Sequence, residues 1–202
     1  MNTSVKIGLF GGTFNPIHNA HLKVAKTALE QFEMEKIIFI PSKIPPHKKD
    51  EDIPKPELRY EMVELAIKEN PAFEISSIEL NREGPSYTVD TIAEMKEEYD
   101  DVAFIVGADN LIQIKTWKEP EKLLSSCPFL IAPRRGYNRN NFQGEFFSDK
   151  ELFFLDMEEI KISSTEIRNM YQEGVSIDNY VPDIVKSYIK ERGIYRATTT
   201  RT

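Results

Sequence analysis

The sequence predicts an α/β protein built on an open, mainly parallel sheet with helices on both faces. Three observations point there. Short apolar runs rich in β-branched and aromatic residues recur along the 202 residues, and most of the gaps between them place apolar side chains at helical spacing. The first run also ends in Gly11-Gly12, directly before such a helical segment. Strand, turn and helix repeated in this way make β-α units, whose strands run parallel.

Val5 to Phe10 is the first strand, Gly11-Gly12 the turn after it, and Leu22, Ala25, Leu29 and Phe32 mark the first helix. Ile37 to Ile40 is a second strand. Beyond it Pro41, Pro45, Pro46, Pro54 and Pro56 exclude regular structure across a lysine-rich stretch, which is expected to be a long functional loop. Leu58, Met62, Leu65 and Ala66 give a helix, Phe73 to Leu80 an extended segment, and Thr88 to Tyr99 another helix. Val102 to Val106 is an interior strand. Glu121 to Ser125 is a short helix, Phe129 to Ala132 a strand stopped by Pro133, and Arg134 to Asp149 a polar loop. Leu152 to Leu155 is the last strand; a helix follows from about Ser164, and another after Pro182 ends at Gly193. The expectation is a Rossmann-like single domain over 1–196, with a disordered tail over 197–202.

Composition narrows the function classes. With 40% hydrophobic and 29% charged residues the chain has the balance of a globular protein. A net charge of -7 argues against a protein that coats nucleic acid, since such binding draws on neutralised phosphates. The polar Asn2, Thr3 and Ser4 lead only a short apolar run, so neither a signal peptide nor a membrane span is expected and the setting is cytoplasmic. Cys127 is the single cysteine, which excludes an internal disulfide and a thiolate metal cluster.

Chemistry concentrates in two places. The run Gly11-Gly12-Thr13-Phe14-Asn15-Pro16-Ile17-His18-Asn19-Ala20-His21 joins the first strand to the first helix, where open parallel sheets bind ligands. Two glycines let backbone amides approach a phosphate, and the helix turns its positive end to the same spot. His18 and His21, three apart, share a face and can donate to transition-state charge. An isolated pair of this spacing would more often be ordinary surface or metal-ligating residues, but a metal site would want further ligands and the only other histidine is His47, in the proline-rich loop. Far along the chain, Ile162-Ser163-Ser164-Thr165-Glu166-Ile167-Arg168 carries the S-x-x-E spacing of a capping box. Arg168 one turn inside that helix start, with the hydroxyls and free amides around it, makes a concentrated anion site.

The first run resembles the G-x-F-x-P-x-H-x-x-H signature of the nucleotidyltransferase α/β-phosphodiesterase superfamily, with Ala20 where glycine is usual. The second resembles that superfamily's I-S-S-T-x-x-R signature. The resemblance implies adenylyl transfer from ATP, with His18, His21 and Arg168 as catalytic residues. It also implies ATP contacts at Gly11, Gly12, Thr13, Phe14, Gly107, Asp109, Ile162, Ser163, Ser164 and Thr165. Mg²⁺ would arrive on the phosphates of ATP and pyrophosphate, with no metal ligand in the protein.

The acceptor must be read from the middle of the chain. Ile44-Pro45-Pro46-His47-Lys48, Gly84-Pro85-Ser86-Tyr87-Thr88-Val89-Asp90-Thr91 and Gly107-Ala108-Asp109-Asn110 followed by Trp117 resemble the bacterial nicotinate mononucleotide adenylyltransferases, as do Tyr180-Val181-Pro182 and Gly193-Ile194-Tyr195. That family joins ATP and nicotinate mononucleotide into nicotinate adenine dinucleotide (deamido-NAD), releasing pyrophosphate, in NAD biosynthesis. The match implies mononucleotide contacts at Asn15, Lys43, His47, Lys48, Ser86, Tyr87, Thr88, Trp117 and Arg134. Each residue type also has its own physical reading. Trp117 offers a flat face for a pyridine ring, though a core role is equally open. Lys43, Lys48 and Lys49 suit a phosphate or plain solvation. Ser86 to Thr88 leads into a helix whose free amides can receive a carboxylate, and Asp109 at a strand end can take ribose hydroxyls or cap a helix. The partners are then two small molecules, with neither nucleic acid nor membrane, and a homo-oligomer is compatible with the sequence.

Overall fold

A computed structural model describes residues 6–46 and 53–196 of the chain. Six strands form one sheet: β1 (Ile7–Gly12), β2 (Lys36–Pro41), β3 (Phe73–Ile75), β4 (Val102–Gly107), β5 (Phe129–Ala132) and β6 (Leu152–Phe154). Their order is β3-β2-β1-β4-β5-β6 and every pairing is parallel. The chain therefore steps outward from β1 to β3 and then crosses back to the other side of β1 at β4. That reversal opens a crevice at the carboxyl ends of β1 and β4.

The helices are α1 (Asn19–Gln31), α2 (Pro56–Ile67), α3 (Ile78–Asn81), α4 (Thr88–Glu98), α5 (Ala108–Leu111), α6 (Pro120–Leu124), α7 (Ser164–Gln172) and α8 (Asp183–Arg192). Alternation along the strands divides the apolar side chains between two cores. Phe10, Ile37, Phe39 and Ile105 pack with Ala25 and Ala28 of α1, Met62 and Val63 of α2, Ile167 of α7 and Val185 of α8. Leu9, Ile38, Ile40 and Phe104 face the other way, onto Val89 and Ile92 of α4, Leu111 of α5 and Leu123 of α6. Helices cover both faces, as the apolar runs require.

Three local expectations change. Gly11 and Gly12 continue β1, paired with Ile40 and Pro41, so the turn begins only at Thr13. The extended segment ends at Ile75, and Ile78–Asn81 coils into a helical turn instead. Ser76 starts that turn by accepting the Ile78 N–H on its hydroxyl at 3.3 Å. Between Arg134 and Asp149 the chain makes two 3₁₀ turns, Arg139–Phe142 and Glu145–Phe147, where a loop is expected. Asn138 caps the first by accepting the Asn140 N–H at 2.9 Å, and buried Phe142 anchors it to the core. No helix among the described residues is long and apolar enough to cross a membrane. His47, Lys48, Lys49 and 197–202 lie outside the described residues.

Candidate active site

A cleft of about 430 Å³ opens at the crevice beside β1 and β4. Its wall includes Gly11 to Asn15, His18 and His21 from the β1–α1 connection, Gly107 and Asp109 after β4, and Ser163 to Thr165 at the start of α7. The two sequence motifs thus meet in space, and they bond to each other. Ser164 Oγ donates to the Pro16 carbonyl at 3.0 Å, and Arg168 Nη1 donates to the Asn15 carbonyl at 2.9 Å. Ser163 caps α7 reciprocally: its Oγ accepts the Glu166 N–H at 3.2 Å while Glu166 Oε2 accepts the Ser163 N–H at 2.7 Å. Arg168 and Ile162 stand just behind the wall and do not line it.

The histidine pair is built by the end of α1. His18 is the N-cap and His21 stands three residues on, with rings stacked at 3.6 Å between centroids and 19° between planes. The His18 backbone N–H donates to His21 Nδ1 at 3.3 Å, which leaves a neutral His21 carrying its proton on Nε2. Phe10 and Phe14 meet the His21 ring edge to face at 5.9 and 5.2 Å, closing an aromatic box around it. Phe14 reaches that place through a left-handed backbone, φ 46°, and its ring lies so close to Gly12 that a Cβ there would meet it at 3.0 Å. The glycine therefore serves ring packing as well as ligand approach. The helix amides are mostly engaged: His18 N–H on His21, and Asn19 N–H on the Tyr180 carbonyl at 2.7 Å.

Burial, and then the nearby Arg134 guanidinium, push His18 down to about 3. An unfolded chain takes up a proton near the usual value of 6.5, whereas the folded one refuses it until about 3. Stability is therefore full above that upper value and falls as pH drops through the interval, at about 1.4 kcal/mol per pH unit. Urea unfolding should show a loss of roughly 2 kcal/mol from this group by about pH 5, absent from His18→Asn. Equal acid sensitivity in the two proteins would mean that His18 is charged within the fold.

Arg134 lines the cleft and links its parts: its Nε donates to Asp109 Oδ2 at 3.3 Å and its Nη1 to the Ile162 carbonyl at 2.8 Å. Its position at the end of β5, between the β4 exit and the α7 approach, dictates those partners. Lys43 does not line the cleft; its ammonium donates to the Arg82 carbonyl at 2.9 Å. Asp109 folds back over Gly107, where a Cβ would stand 2.5 Å from Oδ1, so a larger residue there would displace the Asp109 carboxylate.

Ser86, Tyr87, Thr88 and Trp117 line the other half of the cleft together with Asn15, Pro45 and Pro46. Here too the amides sort themselves. Ser86 N–H is spent on the Ile44 carbonyl at 2.9 Å and Tyr87 N–H on the Pro85 carbonyl at 3.1 Å. Among the described residues no partner takes the N–H groups of Thr88 and Val89, the first two positions of α4.

Two functional-looking residues escape a motif search. Glu79 is buried in the cleft wall, and Arg59 is only 1% exposed. Arg59 donates to the carbonyls of Thr13 at 2.7 Å, Pro54 at 3.0 Å and Lys43 at 3.3 Å, and burial lowers it to about 10. Its signal was a charge on the apolar face of α2, three and four residues before Met62 and Val63.

No cluster of three or more His, Cys, Asp or Glu placed to hold a metal ion occurs among the described residues. The cytidylyltransferase-like family matches residues 9–170. The nicotinate-nucleotide adenylyltransferase of Bacillus subtilis is 41% identical over 194 residues, covering 95% of this chain and 99% of its own. A protein of Moorella thermoacetica named as a probable nicotinate-nucleotide adenylyltransferase is 41% identical over 199 residues, covering 95% and 92%. Among solved structures, the Plasmodium falciparum nicotinic acid mononucleotide adenylyltransferase complexed with NaAD superposes with a TM-score of 0.78 at 20% identity, covering 94% of this chain and 97% of its own. That likeness speaks for the fold. With the cleft, both motifs and full-length relatives in agreement, the chain belongs to the nicotinate-nucleotide adenylyltransferases, within the cytidylyltransferase-like family.

Proposed function

We propose that the cleft transfers the adenylyl group of ATP to nicotinate mononucleotide, giving nicotinate adenine dinucleotide and pyrophosphate. The observation that carries this reading is the meeting of the His18–His21 pair and the Ser163–Thr165 cap on one side of a cleft whose other side holds Trp117 and the Thr88 helix start. ATP lies along the first side and the acceptor along the second. A phosphate oxygen of the mononucleotide attacks the α-phosphorus; the bond to the β-phosphate oxygen breaks, and its electron pair leaves with pyrophosphate. No covalent enzyme intermediate is needed, so the protein works by alignment and by stabilising charge.

His21 donates from Nε2 toward the α-phosphate, with His18 stacked behind it. The Ser163–Thr165 hydroxyls and the nearby Arg168 serve the departing pyrophosphate, and Asp109, held by Arg134, takes ribose hydroxyls. Mg²⁺ enters as part of the ATP substrate and neutralises its phosphates. The reaction belongs to a single domain working in the cytoplasm.

A pyrophosphate-release screen tests the reading. ATP with nicotinate mononucleotide should give pyrophosphate in step with dinucleotide, and ATP alone should give none. Release with phosphopantetheine but not with the pyridine acceptor would overturn it, and so would ATP binding without any release.

A further inference from the structure

Arg59 lies in the first turn of α2, 1% exposed, and its guanidinium reaches three backbone carbonyls. Nη1 donates to Thr13 at 2.7 Å, Nε to Pro54 at 3.0 Å and Nη2 to Lys43 at 3.3 Å. Among the described residues no carboxylate bonds it. A buried cation without a counter-ion beside it works against folding, and an apolar side chain would fill the same place more favourably. The reason for the charge therefore lies in the loops it binds.

Those loops belong to the two sides of the cleft. Thr13 opens the β1–α1 connection and lines the ATP side; Lys43 stands behind the wall, between Ser42 and Pro45, which line the cleft at the exit of β2. The sheet holds the two loops together as far as the Ser42 N–H on the Gly12 carbonyl, at 2.9 Å. One residue further out on each, the joint is the Arg59 guanidinium. From Lys43 the connection continues: its N–H donates to Ser86 Oγ at 3.0 Å and the Ile44 N–H to the same oxygen at 3.4 Å, while the Ser86 N–H returns a bond to the Ile44 carbonyl at 2.9 Å. Ser86, Tyr87 and Thr88 line the cleft ahead of α4. A single file of bonds thus runs from Thr13 through Arg59 and Lys43 to Ser86 and joins the two walls. Arginine suits the middle of that file, because its N–H groups sit in one rigid plane and diverge, whereas all the donors of a lysine radiate from one atom.

We propose that Arg59 is a positioning residue for adenylyl transfer: by holding the Thr13 and Lys43 carbonyls on one rigid fork, it sets the distance between the wall that carries ATP and the wall that carries the acceptor. This rests on the reading that ATP and nicotinate mononucleotide lie along those walls. Without the fork each wall still binds its own substrate. What is lost is the in-line approach of one phosphate to the other, where a displacement of about 1 Å can slow the reaction about a hundredfold.

Arg59→Lys keeps the charge and loses the fork. Its single-turnover rate at saturating substrates should fall by about thirtyfold, while the Kd values of ATP and of nicotinate mononucleotide, each titrated alone, stay within about threefold of the parent. Val63→Ala, a core truncation on the same helix, should lower Tm yet slow the single turnover by less than about threefold. Ser86→Ala breaks the file one link further on, so it should slow the single turnover as well, and its effect should be far from additive with that of Arg59→Lys. Where Arg59→Lys does not fold, Ser86→Ala is read alone and must slow the single turnover by about tenfold with the Kd of ATP unchanged. The proposal is overturned if Arg59→Lys turns over within about threefold of the parent, if both Kd values weaken as much as the rate falls, if Val63→Ala slows the reaction as much, or if the Arg59 and Ser86 effects simply add. A parent that releases no pyrophosphate with nicotinate mononucleotide would mark failure of the functional reading instead.

Discussion

Replacing His21 with alanine should lower turnover by about two to three decades while leaving ATP affinity within a few fold of the parent. The expectation follows from where the ring is held. Its Nδ1 accepts the His18 N–H, so its proton is on Nε2, and the stack on His18 and the edges of Phe10 and Phe14 restrain the ring on three sides. A donor fixed in this way pays no reorganisation when charge develops on the α-phosphate, whereas in the ground state the same phosphate has water and Mg²⁺ as alternatives. Its worth is therefore concentrated in the transition state. Single-turnover rates and calorimetric ATP titration, taken on the same preparation, check it. Near-parental turnover would remove the catalytic assignment, and an equal loss in binding and rate would make His21 a plain ATP ligand. His18→Ala should be strongly non-additive with it, because each ring is part of the other's support.

The architecture is readable because most strands are short apolar runs and the longer covering helices show their periodicity. Ile37 to Ile40 and Phe129 to Ala132 became β2 and β5 with little change. The sequence reads as extended as far as Leu80 because the one helical turn at Ile78–Asn81 is too short to display a period, and the Ser76 hydroxyl that starts it is a local bond. The same reason hid the 3₁₀ turns of 139–147, where Asn138 does the work. In the site, sequence spacing locates both motifs but not which of their donors are engaged within the fold. The sequence does not show that Arg134 bonds Asp109 and the Ile162 carbonyl, or that the Lys43 ammonium bonds the Arg82 carbonyl. Glu79 and Arg59 carry no motif, since what distinguishes them is a charge placed on a buried face, visible only once the faces are assigned.

Nicotinate mononucleotide should be preferred over nicotinamide mononucleotide by about one to two decades in kcat/KM. Trp117 cannot make that choice, because both pyridines offer an indole nearly the same flat face. The choice must fall on the ring substituent, a carboxylate in one acceptor and a carboxamide in the other. The sequence placed the deciding donors at Ser86 to Thr88, but Ser86 and Tyr87 spend their N–H groups on Ile44 and Pro85, which moves the pair to Thr88 and Val89 at the head of α4. Two N–H groups satisfy both oxygens of a carboxylate, and the positive end of the eleven-residue helix adds to the attraction. A carboxamide sets its NH₂ against one of them, leaving donor facing donor at a cost of roughly 1–3 kcal/mol. Initial rates with the two acceptors at matched ATP decide it: equal values, or a preference for the amide, would move the acceptor ring away from α4. Trp117→Ala should weaken both acceptors by a similar factor and largely keep their ratio, because it removes the stack and leaves the Thr88 and Val89 donors in place.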